Sequence, residues 1–190
     1  MSKELVFFLE EKSAKNTLEQ IWLKLVPSES GITPRFVAFD GKQDLEKQLP
    51  RKMSRYINPD ARFIVLRDQD SGDCGKIKNR LTALCESNCR GRPFLVRIAC
   101  RELESWFLAQ LGAVERGLGV GSLTQLQQKA SYRNPDAMVG PSRELEKITA
   151  GRYEKGLGSR SIAPHLDPNC TRSPSFMNLV QAIRRLCQDF

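Results

Sequence analysis

The chain has 190 residues, of which 40% are hydrophobic and 27% are charged, and its 30 basic and 22 acidic residues give a formal net charge of +8. This length and composition suit a globular protein and exclude a disordered, collagen-like or coiled-coil chain. No apolar run approaches the roughly 18 residues of a membrane span and no secretory signal opens the sequence, so we expect a cytoplasmic protein that does not enter a membrane.

Residues 1–111 alternate short apolar runs with segments of helical spacing. The runs predict buried strands at residues 5–9, 35–39, 62–66 and 94–99. The spacing predicts helices at residues 14–25, 44–56, 76–89 and 102–111, with Ser13 capping the first and Pro50 kinking or splitting the second. This alternation predicts an α/β fold of Toprim or Rossmann-like type, with a mainly parallel four-stranded sheet flanked by helices.

Residues 112–190 have a different composition, since Gly, Pro, Ser and Asn are frequent and no strand is evident. Short helices are predicted at residues 122–129, 142–148 and 176–186. We therefore expect an α/β domain over residues 1–111 and a helical, irregular C-terminal lobe over residues 112–190, packed together as one unit.

Several common chemistries have no sequence support. The six cysteines form no CxxC pair and the chain has one histidine, His165, so free thiols in a reducing compartment are favoured over a zinc site. No P-loop and no G-x-G-x-x-G motif is present. His165 lacks the partners of a catalytic triad.

Acidic residues follow three of the predicted strands. Glu10 ends the first strand, Asp68 and Asp70 follow the third, and Glu102 and Glu104 follow the fourth. Parallel strands place their carboxyl ends at one edge of the sheet, so these acids should converge there. Clustered carboxylates repel one another, and Mg²⁺ or Mn²⁺ relieves that repulsion through oxygen ligands. Solvated surface groups and helix caps, with Asp73 as one candidate cap, are the alternative interpretation.

Basic residues flank these acids. We expect Lys12, Arg97 and Arg101 to contact phosphate. Arg97 lies inside the fourth predicted strand, where a charge is costly unless it is paired, so pairing with the acids would explain its position. The net positive charge agrees with DNA or RNA as a partner, although many proteins without such a partner carry a similar charge.

An ordered series of motifs resembles the Toprim fold, which topoisomerases, primases and the overcoming-lysogenization-defect (OLD) nucleases share. Within that fold the sequence resembles one Toprim-like group more closely, domain-of-unknown-function family 4276. The matching stretches are Val6–Ser13, Gly41–Leu45, Leu66–Asp70 with Asp73-Cys74, Val96–Ala99 running into Glu102–Phe107, Asn134–Asp136, Tyr153-x-Lys155 and Ser173–Phe176.

The resemblance implies a Toprim-like metal site. Glu10 would be the first-strand acid, Asp68 and Asp70 the paired ligands, and Glu104, with Glu102 near it, would complete the site. OLD-type nucleases often have Glu-Gly-x-Thr-Glu after the first strand, whereas this chain has Glu10-Glu11-Lys12-Ser13-Ala14, which leaves the role of Glu11 open.

These features predict a Mg²⁺- or Mn²⁺-dependent nuclease of Toprim-like type. Its catalytic residues would be Glu10, Asp68, Asp70 and Glu104. The resemblance also implies work beside an AAA- or ABC-type ATPase partner in a phage-defence or mobile-element system. Two alternatives stay open: a non-catalytic regulatory, toxin or interaction subunit of an ATPase complex, and nucleotide binding or phosphate transfer on a small molecule.

Overall fold

The computed structural model describes residues 2–190. Its strands are β1 (Lys3–Leu9), β2 (Ile32–Ala38), β3 (Arg62–Asp68) and β4 (Phe94–Ala99). Its α-helices are α1 (Lys12–Leu25), α2 (Lys42–Ser54), α3 (Cys74–Glu86), α4 (Glu104–Leu108), α5 (Leu111–Leu118), α6 (Pro141–Ile148), α7 (Lys155–Ile162) and α8 (Pro174–Gln188).

The strands form one parallel sheet in the order β2-β1-β3-β4. The predicted α/β fold with a parallel four-stranded sheet is therefore confirmed. The central strands β1 and β3 are buried along almost their whole length because helices cover both faces of the sheet. That double cover explains why their sequences are continuous apolar runs rather than alternating ones.

Alternate residues of β1 enter two different hydrophobic cores. Leu5 and Phe7 face the core that α1, α4, α5 and α8 complete, whereas Val6 and Phe8 face the core that α2 and α3 complete. The first core also includes Phe176 of α8, although that residue lies far along the chain from β1. The C-terminal segment thus supplies one wall of the sheet's larger core.

Several element boundaries differ from the sequence predictions. The helix predicted over residues 102–111 is shorter and forms α4 alone, because Gln110 leaves the helical conformation (φ −138°, ψ 62°), and α5, which begins at Leu111, was not predicted. Pro50 neither splits α2 nor ends it. Residues 124–128, predicted as part of a helix, form a 3₁₀ turn, and α7 was not predicted at all.

Two glycines allow α7 to pack closely against its neighbours. A Cβ atom on Gly117 of α5 would lie 2.6 Å from Cα of Ile162, and one on Gly158 would lie 2.5 Å from the Tyr153 ring. Neither position can therefore carry a side chain without moving backbone or an aromatic ring. These contacts hold Tyr153 and the start of α7 against the carboxyl edge of the sheet.

None of the helices within residues 2–190 combines the length and the apolar character that crossing a membrane requires.

Candidate functional site

The strand ends that carry acidic residues meet at the carboxyl edge of the sheet, as predicted. In the strand register Leu9 pairs with Leu66 and Asp68 pairs with Ala99, so these ends lie side by side. The chain leaves β1 toward β2 on one side, whereas β3 and β4 lie on the other. Open parallel sheets bind ligands in the crevice at such a switch point.

Glu10 and Asp68 are joined across this crevice. Oε2 of Glu10 accepts a hydrogen bond from the backbone N–H of Asp68 at 2.9 Å. Asp68 is 7% exposed, and burial raises the pKa of its carboxyl well above the usual value. The carboxylates of Glu104, Glu11 and Glu10 raise it further. Burial also raises the pKa of Glu10, although the hydrogen bond from Asp68 opposes this.

Glu104 supplies the most deeply buried carboxyl group of the site. It is 0% exposed in the first turn of α4. Its Oε1 accepts a hydrogen bond from the hydroxyl of Tyr153 at 2.8 Å, and its Oε2 has no hydrogen-bond partner within residues 2–190. Burial raises the pKa of Glu104, and Lys155 and Tyr153 oppose that rise. Because buried polar atoms are almost always hydrogen-bonded, Oε2 is open to a further ligand.

Four carboxylates lie at this edge of the sheet, and we call them the acidic cluster: Glu10, Glu11, Asp68 and Glu104. The charge of each of the other three carboxylates raises the pKa of Asp68, so Asp68 is the residue that the other members act on together.

Lys155 compensates part of this negative charge. Its Nζ lies 2.8 Å from Oε1 of Glu11, at the start of α7. Burial lowers the pKa of Lys155, but the charge of Glu104 and the hydrogen bond to Glu11 outweigh that effect and leave the pKa raised. Sequence reasoning gave no role to Tyr153 or Lys155. Their occurrence in the Tyr153-x-Lys155 motif was the available signal, but nothing in the sequence places that motif beside the sheet.

Asp70 lies at the rim of the acidic cluster rather than within it. Its carboxylate pairs with Nζ of Lys42 at 2.8 Å. Its backbone is left-handed (φ 54°), as is that of Arg101 (φ 62°), and the N–H of Asp70 donates to the carbonyl of Arg101 at 2.7 Å. Non-glycine residues rarely adopt this conformation, so the loops after β3 and β4 hold each other in a defined arrangement.

A buried arginine contacts the cluster from the α2–α3 face of the sheet. Arg67 is 6% exposed. Its guanidinium lies 2.5 Å from Oε1 of Glu46 and 3.8 Å from Oε2 of Glu10. Arg80 also pairs with Glu46. Arg67 therefore compensates part of the negative charge of Glu10 from the α2–α3 face of the sheet.

Two residues predicted for the site have other contacts. Oε2 of Glu102 accepts the backbone N–H of Ser142 at 2.8 Å, which places Glu102 at the start of α6. Arg97 does not pair with the acids, contrary to the expectation. Its Nε donates to the carbonyl of Asn178 at 2.9 Å, because β4 directs its side chain to the sheet face that α8 covers, and its Nη1 donates to the carbonyl of Val96.

The remaining predicted residues are placed as follows. Lys12 is exposed in the first turn of α1, directly after Glu11. Asp73 is the N-cap of α3 and accepts the N–H of Lys76 at 2.8 Å, which confirms the capping alternative for this residue. His165 lies in a 3₁₀ turn and contributes its carbonyl to a hydrogen bond from Arg116.

The donor chemistry of the acidic cluster suits a hard divalent cation, since every potential ligand is a carboxylate oxygen. Oε2 of Glu104 is buried and free to accept such a ligand. However, within residues 2–190 no three His, Cys, Asp or Glu side chains are grouped as a metal ion requires. The positive charge of Lys155 is the compensation that the structure itself supplies. The cluster therefore fits Mg²⁺ or Mn²⁺ in its donor atoms but not in a preassembled ligand geometry.

Comparison with known proteins adds a family and a fold. The model of a family described as "Domain of unknown function (DUF4276)" matches residues 9–184. No curated protein matches the sequence. The solved C-terminal region of the Burkholderia pseudomallei OLD protein is similar in structure, with a TM-score of 0.56 at 16% identity over 96% of this chain and 98% of that chain. At this identity the similarity concerns the fold, and it confirms the predicted Toprim-like α/β arrangement.

Proposed function

The chain belongs to the DUF4276 family, and from this premise we propose that it hydrolyses phosphodiester bonds of DNA or RNA with Mg²⁺ or Mn²⁺. The observation that carries the proposal is the acidic cluster. Its members Asp68 and Glu104 are buried at the switch point of the sheet, where ligands of open α/β sheets bind. Buried carboxylates that repel one another destabilise a fold, and they concentrate at functional sites.

Four residues would hold the cation: Glu10, Asp68, Asp70 and Glu104. Glu102 would serve α6 instead, since its carboxylate already accepts a backbone N–H there. A bound divalent cation would supply an activated water and neutralise negative charge on the phosphate.

The protein's own residues would prepare this site. Tyr153 fixes one oxygen of Glu104 and leaves the other oxygen available. Lys155 pairs with Glu11, and its charge opposes the rise that burial causes in the pKa of Glu104. Lys12 and Arg101, which flank the acidic residues, would hold phosphate groups of the substrate.

A cleavage assay tests the proposal. Purified protein is incubated with end-labelled single- and double-stranded DNA and RNA in Mn²⁺, in Mg²⁺ and in EDTA. We expect cleavage that needs the metal and is lost when Asp68→Ala and Asp70→Ala are combined. The control is Asp60→Ala, which removes an exposed carboxylate just before β3, at the opposite edge of the sheet. Cleavage that survives the double substitution, or no metal-dependent cleavage of any substrate, overturns the proposal.

One observation favours a second candidate, a non-catalytic subunit of an ATPase complex. Within the described residues 2–190, no three potential ligand side chains are grouped as a metal site requires, and Lys155 already compensates the cluster. Calorimetric titration with Mn²⁺ separates the two candidates. The nuclease predicts binding that disappears in the Asp68→Ala, Asp70→Ala protein, whereas a pure interaction subunit predicts no carboxylate-dependent binding.

We further propose an AAA- or ABC-type ATPase as a partner and the cytoplasm as the location. The similar solved structure is the C-terminal region of a longer protein, which supports a partner domain or chain. The six free thiols support a reducing compartment. Co-purification with a co-expressed ATPase tests the first of these proposals.

A further inference from the structure

An open cleft of about 780 Å³ lies beside the acidic cluster, between α1, α7 and the carboxyl half of β2. We call it the basic cleft and define it by six of its lining residues: Lys12, Lys15, Asn16, Phe36, Leu157 and Arg160. Its volume is in the range of sites that enclose a ligand of a few hundred daltons.

Two lining residues of the basic cleft are near neighbours, in the chain, of residues at the acidic site. Lys12 follows Glu11 in the chain, and Leu157 lies two residues after Lys155. The hydrogen bond from Nδ2 of Asn16 to the carbonyl of Gly156, at 2.9 Å, joins α1 to α7 along the cleft. We therefore expect a strand in the cleft to run toward the carboxylates.

The charge of the cleft suits a polyanion. Lys12, Lys15 and Arg160 line it, and the acidic residue among the lining side chains is Glu19. Glu19 pairs with Lys15 at 3.7 Å, as neighbours one turn apart on α1. The positive charge that remains would attract phosphate groups toward a site whose own carboxylates repel them.

The cleft also presents apolar surface that a phosphate backbone does not need. Phe36 stacks on Phe7 with ring centroids 4.9 Å apart, which fixes its ring, yet it remains partly exposed on the edge strand β2. Leu157 is 69% exposed in the same cleft. Basic side chains interleaved with aromatic and apolar ones are typical of surfaces that bind unpaired bases.

From this combination we propose that the basic cleft binds a single strand of nucleic acid. Its phosphates would lie on Lys15 and Arg160, and its bases would lie against Phe36 and Leu157. A double helix has its base faces stacked inside, so it could use the cations but not the apolar surface. The inference rests on the proposed function only in that the bound strand would be cleaved. Binding of the strand does not itself require cleavage.

Fluorescence anisotropy of the full chain in EDTA tests the charge contribution. The probes are labelled oligo(dT) and oligo(rU) of about 15 nucleotides, within reach of such sites, and a DNA hairpin duplex. We expect either single strand to bind more tightly than the hairpin. Combining Lys15→Gln with Arg160→Gln should weaken single-strand binding about tenfold and reduce the log–log salt slope by about 0.7 per lost phosphate contact.

The matched control combines Lys129→Gln with Arg133→Gln. These residues are exposed and lie outside the basic cleft, so the control removes the same charge elsewhere. The control should bind single strands as the unmodified protein does. Equal losses in both double variants would overturn the proposal, because they would show that only net charge matters.

Phe36→Leu tests the apolar contribution. It should weaken single-strand binding at least fivefold and leave hairpin binding unchanged. If its thermal unfolding shows a damaged fold, Leu157→Ser replaces it, since Leu157 is largely exposed. Tighter binding of the hairpin, or no effect of either substitution, overturns the proposal.

The outcomes for the cleft and for catalysis are separable. A protein that cleaves nucleic acid but binds it independently of the cleft residues refutes the cleft and leaves the proposed function intact. A cleft that binds single strands in a protein that never cleaves them refutes the proposed function alone.

Discussion

Replacing Tyr153 with phenylalanine removes one hydroxyl group and leaves the aromatic ring in place against α7. That hydroxyl donates a hydrogen bond to Oε1 of Glu104 at 2.8 Å. Tyr153 is 5% exposed and Glu104 is 0% exposed, so water cannot readily replace the lost donor. Because Oε2 of Glu104 has no hydrogen-bond partner among residues 2–190, the substitution leaves this buried carboxyl without a side-chain donor there.

The expected cost follows from the charge of the acceptor. A hydrogen bond to an ionised group contributes about 1.5–3 kcal/mol, and leaving a buried charged group unsatisfied lies at the upper end of that range. We therefore expect Tyr153→Phe to lower the free energy of unfolding by about 2–3 kcal/mol at neutral pH. The loss should be smaller in a Glu104→Gln background, since the acceptor is then neutral.

Tyr132→Phe is the matched control. Tyr132 is also 5% exposed, and its hydroxyl donates to Oε1 of Glu144 at 2.6 Å. The Glu144 side chain is 25% exposed, so water can take over the lost hydrogen bond. We expect this control to lose about 1 kcal/mol or less.

Urea unfolding monitored by circular dichroism measures both substitutions, with a constant m-value as the check on two-state behaviour. A loss in Tyr153→Phe no larger than that in Tyr132→Phe would refute the reasoning. It would mean that Glu104 is neutral in the folded protein or reaches solvent.

Three further outcomes are expected. Asp68→Asn should raise the free energy of unfolding by about 1–3 kcal/mol in cation-free buffer at pH 8, because it removes a buried charge that three carboxylates repel; destabilisation in urea unfolding would contradict this. The difference in free energy of unfolding between Asp68→Asn and the unmodified protein should become smaller as the pH is lowered from 8 to 5. The raised pKa of Asp68 lets the folded state bind its proton before the unfolded chain does, so the stabilisation from protonation is complete below about pH 4 and is lost as pH rises through the raised pKa. Asp136→Ala should lower the unfolding free energy by about 1–2 kcal/mol, because Asp136 accepts hydrogen bonds from Ser173 Oγ at 2.6 Å and from the Ser175 N–H at 2.7 Å at the start of α8; an unchanged thermal midpoint would count against this role.

The strands were predictable because their burial on both faces requires apolar residues in sequence. Phe7 and Ile64 belong to runs that are apolar at nearly every position, as both faces of a parallel sheet require. The break between α4 and α5 was not predictable. It occurs at Gln110, whose side-chain oxygen accepts the backbone N–H of Asp167 at 2.7 Å, a contact 57 residues away. Local apolar spacing carries no information about such a partner.

The partner of Arg97 was likewise not predictable from the sequence. A charge inside a strand was correctly identified as needing partners, but the sequence could not say which. The edge position of β4 and the packing of α8 gave it a backbone carbonyl of Asn178 in place of an acid. A different arginine, Arg67, pairs with Glu10 and Glu46, because its position on β3 directs its side chain toward them.

The sequence by itself determined that acids end the strands and that those strands are parallel, because strand order along the chain and βα alternation require a common carboxyl edge. Only the tertiary structure decided which acids interact. It buried Asp68 and Glu104 together, left Asp70 at the rim and turned Glu102 toward α6. It also brought in Tyr153 and Lys155, because α7 packs against α5 and against α1, and α1 lies more than a hundred positions earlier in the chain.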